Sequence, residues 1–170
     1  AGRVHDDQQI VTRTVEGPIL HSTWGEVLRR SKQLAQAMTE AGIGRGDRVA
    51  TLGWNTQRHL EAYFGVSGMG AVCHTLNPRL HPTQLIYIMN HAEDRVLLVD
   101  ITFVPLVEAV ADKLRTVERY VVMTDAAHMP DTSLPSAVSY EEFIGGHSSN
   151  YSWPTLDESA ASALCYTSGT

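Results

Sequence analysis

Residues 163 to 170 read Ala-Leu-Cys-Tyr-Thr-Ser-Gly-Thr, an apolar run that breaks into small hydroxyl residues around one glycine. Hydroxyls and a glycine placed where a buried strand emerges bring O–H and backbone N–H donors close to a polyphosphate, because glycine has no Cβ to block the approach. Thr167, Ser168, Gly169 and Thr170 are therefore the candidate phosphate contacts. The same residue types also compose an ordinary Ser/Thr turn, so the segment alone leaves both readings open.

Other clusters carry less chemistry. Gly65-Val66-Ser67-Gly68-Met69-Gly70 superficially resembles a dinucleotide fingerprint, but such a loop follows a strand and opens a helix. Here the glycines follow a helical stretch and precede a strand, so they are read as a tight helix end. Gly42, Gly44 and Gly46 are read as a turn on the same ground. The eight histidines include no pair at i, i+4 and none at ligand-like spacing from an acidic residue, which argues against a metal site. His59 and His91 are expected on helix surfaces. His74 lies in a strand of otherwise buried residues and is read as a core or pocket-wall histidine rather than a base. Asp157 and Glu158 are adjacent carboxylates that point to opposite faces of an extended chain, so they form no acid/base pair. No catalytic residue is assigned to this stretch, and no Ser/His/Asp triad can be argued from spacing.

The elements that must position these residues alternate along the chain. Ile10 to Val15 and Pro18 to Ser22 flank Glu16-Gly17 as a β-hairpin. Thr23 and Glu26 form a capping box, worth about 1 kcal/mol, ahead of a helix carrying Trp24, Val27, Leu28, Ser31, Leu34, Ala35 and Met38. Gly42 supplies its left-handed stop. Strands are predicted at 48–52, 71–76, 95–99 and 120–123. Between them lie a helix capped by Asn55, a second opened by Pro82, and a third from about Thr102 to Leu114. The polar stretches 125–139 and 145–154 read as surface loop, with a short helix near Tyr140 to Ile144. Apolar runs alternating with helices require crossover connections, hence an α/β fold: a β-hairpin followed by a mostly parallel, helix-covered sheet of βα units.

Composition limits the partners. A chain of 170 residues can bury roughly 70% of its unfolded surface in one core. Its net charge of −6, with Lys32 and Lys113 as the only lysines, argues against nucleic acid and anionic membrane surfaces. No apolar run reaches the roughly 20 residues that span a bilayer, and the polar start has no signal-peptide shape. The two cysteines, Cys73 and Cys165, lie in separate apolar stretches and are expected as buried thiols of a reducing, cytoplasmic compartment. Beginning at alanine and ending inside a motif, the chain is expected to be clipped at both ends.

Asn77-Pro78-Arg79-Leu80-His81-Pro82, continuing through Leu85, Tyr87, Ile88, Asn90-His91-Ala92-Glu93 and Val96-Leu97-Leu98-Val99-Asp100, resembles the N-terminal domain of acyl-CoA synthetases in the adenylate-forming superfamily. Arg45 to Ala50 and Gly68 to Val72 fall where that family has comparable stretches, and Tyr166-Thr167-Ser168-Gly169-Thr170 is similar to the opening of its phosphate loop. The resemblance covers nearly the whole chain. It implies a partial N-terminal ATP- and acyl-binding domain over residues 1–170, cut inside the phosphate loop, with the mobile C-terminal domain beyond. It implies ATP, Mg²⁺ and coenzyme A as cofactors, a carboxylic acid as substrate, phosphate contacts at Thr167 to Thr170, and Thr167 near the metal. The run from Asn77 to Asp100 looks most like ligases of medium- and long-chain fatty acids or related short thioether acids. Relatives of this kind are often homodimers through this domain, so a homodimer is expected. Residues 1–170 alone are expected neither to activate acids nor to bind ATP appreciably; tight ATP binding by calorimetry would refute this. The alternatives are a self-contained α/β binding module or an adenylating enzyme with another acyl acceptor.

Overall fold

The computed structural model describes residues 4–167, and Ser168, Gly169 and Thr170 lie outside the described residues. The hairpin forms as expected. Strands β1 (Gln9–Arg13) and β2 (Ile19–Thr23) pair antiparallel, with Gln9 opposite Thr23 and Arg13 opposite Ile19. Helix α1 (Trp24–Glu40) starts at Thr23, whose hydroxyl accepts the Glu26 N–H at 3.2 Å, and buries Val27, Ser31, Leu34, Ala35 and Met38 along one stripe. Gly42, at φ +81°, turns the chain towards the sheet in the left-handed region that side chains disfavour.

Strands β3 (Arg48–Leu52), β4 (Val72–Thr75), β5 (Asp94–Val99), β6 (Arg119–Val122), β7 (Val138–Ser139) and β8 (Ala163–Leu164) form one sheet in the order β7-β6-β5-β3-β4-β8, every pair parallel. Parallel neighbours need helical crossovers, which here are α2 (Gln57–Gly68) and α3 (Pro82–Ala92). Side chains alternate across β5. Val96 and Leu98 join the cluster under α1, α2 and the short helix α5 (Tyr140–Gly145), whereas Leu97 and Val99 join the cluster under α3. The sheet is covered on both faces, which is why its strands read as continuous apolar runs.

The structure corrects four expectations about elements and thiols. Residues 101–114 are not one helix: a 3₁₀ turn (Ile101–Phe103), helix α4 (Val104–Glu108) and a second 3₁₀ turn (Ala111–Lys113) follow one another. Pro105 lacks an N–H and suits only a first helical turn, so the helix starts afresh there. Its apolar residues, Phe103, Val104, Val107, Val110 and Leu114, are buried all the same. Helix α2 begins after Thr56 rather than at Asn55, because its first carbonyl acceptor is that of Thr56, 3.0 Å from the Leu60 nitrogen. The stretch 125–139 is not all surface loop, since Leu134 is buried and Val138–Ser139 forms the edge strand β7. Cys165 is exposed, just past the end of edge strand β8, while Cys73 is buried in β4 and burial pushes its thiol up to about 12.

Helices α1 and α2 approach closely at Gly65. A Cβ there would lie 2.9 Å from the Ser31 carbonyl oxygen and 3.0 Å from the Leu34 side chain. Gly65→Ala is therefore expected to destabilise by about 1–3 kcal/mol through overpacking, against the roughly 1 kcal/mol by which helices favour alanine over glycine. Denaturant unfolding of the full-length protein checks this; an unchanged midpoint would show that the helix pair yields without strain.

Candidate functional site

In doubly wound sheets ligands bind at the carboxyl ends of the strands, where the strand order reverses. In this chain the reversal lies between β3 and β5, because β4 is added on one side of β3 and β5 on the other. That crevice is filled by the protein itself. Asp100, directly after β5, accepts the Trp54 N–H that follows β3, and only 1% of it is exposed. Glu16 from the hairpin turn accepts from the Thr124 hydroxyl at 2.8 Å and from Arg58 at 2.7 Å. Burial pushes the Asp100 carboxyl up to about 6.

Tyr166 and Thr167 follow the strand at the sheet's far edge. Strand β8 pairs with β4, Ala163 opposite Cys73 and Leu164 opposite His74. Directly after it the Cys165 thiol lies 3.2 Å from the Thr75 hydroxyl at the end of β4. Tyr166 and Thr167 then run along α3. With Leu80, Thr83, Gln84, Tyr87 and Ile88 they line an open groove of about 370 Å³. His81 caps the start of α3 reciprocally with Gln84, and Pro82 occupies the first turn. Thr167 is exposed beside this helix start. Of the four predicted phosphate contacts it is the one the structure describes; Ser168, Gly169 and Thr170 lie outside the described residues.

Beneath Tyr166 sits a pair that spacing could not reveal. His74 and Asp94 are both wholly buried, and Nδ1 of His74 donates to the Asp94 carboxylate at 2.8 and 3.0 Å. Twenty residues separate them, but parallel pairing sets Ala50 of β3 opposite His74 and Arg48 of β3 opposite Asp94. Burial raises the Asp94 pKa, and the bond from His74 opposes that rise. Among the described residues Nε2 of His74 has no hydrogen-bond partner. The His74 ring stands 5.2 Å from the Tyr166 ring, and the Tyr166 hydroxyl is hydrogen-bonded to Nδ1 of His91. His74 is thus the buried histidine that its strand implied, and His91 is exposed on α3 as expected.

His59 departs from expectation. It is buried, its Nδ1–H donating to the Trp54 carbonyl and its Nε2 accepting from the Thr51 hydroxyl, each at 3.0 Å. With both ring nitrogens satisfied a histidine can face the sheet, and burial lowers its pKa. No group of three His, Cys, Asp or Glu side chains among the described residues is arranged to hold a metal ion. No helix among the described residues is long and apolar enough to cross a membrane.

Fold and site together define a doubly wound α/β sheet whose edge strand β8 leads to Tyr166 and Thr167 beside α3. The chain belongs to the AMP-binding enzyme family, which it matches over residues 3–170. It is 46% identical over its whole length to 3-methylmercaptopropionyl-CoA ligase of Ruegeria pomeroyi, of which it spans 32%. It is 44% identical, again over its whole length, to the medium-chain-fatty-acid–CoA ligase of Ectopseudomonas oleovorans, spanning 31% of that protein. The long-chain-fatty-acid–CoA ligase of Thermus thermophilus is 47% identical over 96% of the chain and 28% of its own length. The chain thus spans about a third of the curated relatives it matches. The fold is that of the anthranilate CoA ligase AuaEII, solved with anthranoyl-AMP: TM-score 0.86 and 23% identity over 98% of this chain and 30% of that one.

Proposed function

We propose that the full-length protein to which this chain belongs is an AMP-forming acid–thiol ligase. The observation that carries this is the match to the AMP-binding family across residues 3–170, with Thr167 exposed just past edge strand β8. In the proposed reaction a carboxylate oxygen attacks the α-phosphorus of ATP, the α–β phosphoanhydride bond breaks and pyrophosphate leaves. The thiol of coenzyme A then attacks the acyl carbon, and AMP departs with the electron pair of the acyl–oxygen bond. Such chemistry rests on positioning and charge neutralisation, to which hydroxyl and backbone N–H donors of residues 167–170 contribute.

Mg²⁺ fits this site only in part. The Thr167 hydroxyl is a hard oxygen donor, but Mg²⁺ takes six oxygens, so the others are proposed to come from nucleotide phosphates and water. The metal supplies charge neutralisation at the phosphates when bound. Residues 1–170 are proposed to form part of an N-terminal domain, the remaining groups of the site lying in the rest of the full-length protein. The cytoplasmic and homodimeric readings rest on cysteine usage and on the resemblance respectively.

Relatives named for 3-methylmercaptopropionyl, medium-chain and long-chain acyl groups support an aliphatic or thioether acid as substrate. Mass spectrometry of products from ATP, coenzyme A and a panel of thioether, straight-chain and aryl acids tests this. Thioesters of aliphatic or thioether acids are expected, and thioesters of aryl acids alone would overturn the substrate assignment.

A further inference from the structure

We propose that the buried His74–Asp94 pair is a positioning element for Thr167, acting through Tyr166. The inference rests on the ligase reading above. An imidazole and a carboxylate, both wholly buried in the sheet, are a poor choice for stability alone, since apolar residues of similar volume generally serve as well or better. The geometry instead fixes a ring. Both Asp94 oxygens lie within hydrogen-bond distance of Nδ1 of His74, at 2.8 and 3.0 Å, which sets the orientation of the imidazole on β4. The Tyr166 ring stands 5.2 Å from that imidazole, tilted by 44°, and His91 of α3 meets Tyr166 edge-on at 5.8 Å while sharing a hydrogen bond with its hydroxyl. Tyr166 is therefore held from the sheet on one side and from α3 on the other.

Thr167 is the next residue. Its side chain is small and exposed, so its place depends on the anchored residue before it. Tyr166 is that anchor, and His74 and Asp94 are its footing. Nδ1 of His74 is committed to Asp94, and Nε2 has no partner among the described residues.

The test uses the full-length protein and acid-dependent ATP–pyrophosphate exchange, reading the KM for ATP against kcat, with Tm as a control. Tyr166→Leu is expected to raise the KM for ATP on the order of tenfold, since small misplacements of binding groups cost factors of this size. Tyr166→Phe, which keeps the ring, is expected to raise it less. His74→Leu is expected to raise it as Tyr166→Leu does, and the double variant no further, because both remove one support. A purely structural role for His74 would lower Tm and leave the KM for ATP in place. Where His74→Leu does not fold, Asp94→Asn carries the same comparison. No exchange by the wild-type protein with any acid overturns the ligase reading. Exchange with a KM for ATP unmoved in Tyr166→Leu, or with His74 and Tyr166 effects that multiply, overturns the positioning role alone.

Discussion

Arg30→Ala is expected to remove about 3–5 kcal/mol of stability, the usual consequence of taking one partner from a buried ion pair. Arg30 on α1 donates to Glu61 at 2.7 Å and, through both terminal nitrogens, to Glu141 at 2.9 Å each. The Glu61 side chain is wholly buried on α2, where it also accepts from Gln57 at 2.8 Å and from the Tyr140 hydroxyl at 3.0 Å. These bonds join α1, α2 and α5 over one face of the sheet. Burial already raises the Glu61 pKa, with Arg30 as the main opposing influence. Removing Arg30 pushes that carboxyl higher still. A raised folded-state pKa means stability that is present below the unfolded value and lost as pH rises through the folded one. The deficit of Arg30→Ala should therefore be larger at pH 8 than at pH 5. Denaturant unfolding at both values checks it; a loss below about 1 kcal/mol, or one larger at pH 5, would contradict the account.

Asp100→Asn is expected to stabilise the protein above neutral pH. The Asp100 carboxyl is 1% exposed, and burial, the largest influence on it, raises it from 3.8 to about 6. By the same linkage, the protein loses about 3 kcal/mol through this one group as pH climbs from about 4 to about 7. Asparagine keeps an oxygen for the Trp54 N–H and carries no charge to desolvate. The variant should match the wild type near pH 4 and exceed it at pH 8, which thermal melts across that range would show. Equal pH profiles would place the Asp100 titration elsewhere.

The sheet was legible in the sequence because strands covered on both faces appear as unbroken apolar runs, as Val96 to Val99 does, and the helices between them keep a 3.6-residue stripe. Edge strands β7 and β8 were not. Two residues each give no periodicity, and their pairing is decided by the neighbours β6 and β4. Pro82 announced a helix start, whereas Pro105 marked a break that the apolar spacing around it concealed. Of the site, the hydroxyl segment was visible as residue types. Its setting was not: His74 meets Asp94 only once β4, β3 and β5 are laid side by side, and Arg30 meets Glu141 across 111 positions of chain. His59 misled because a histidine on an amphipathic helix gives no sign that Thr51 and the Trp54 carbonyl will satisfy both ring nitrogens.

Acid-dependent exchange of labelled pyrophosphate into ATP by the full-length protein, without coenzyme A, isolates the adenylation half-reaction. Exchange that depends on an aliphatic or thioether acid, with net AMP release only once coenzyme A is added, is the predicted result. Absence of exchange with every acid across short, medium, long and aryl chains would contradict it.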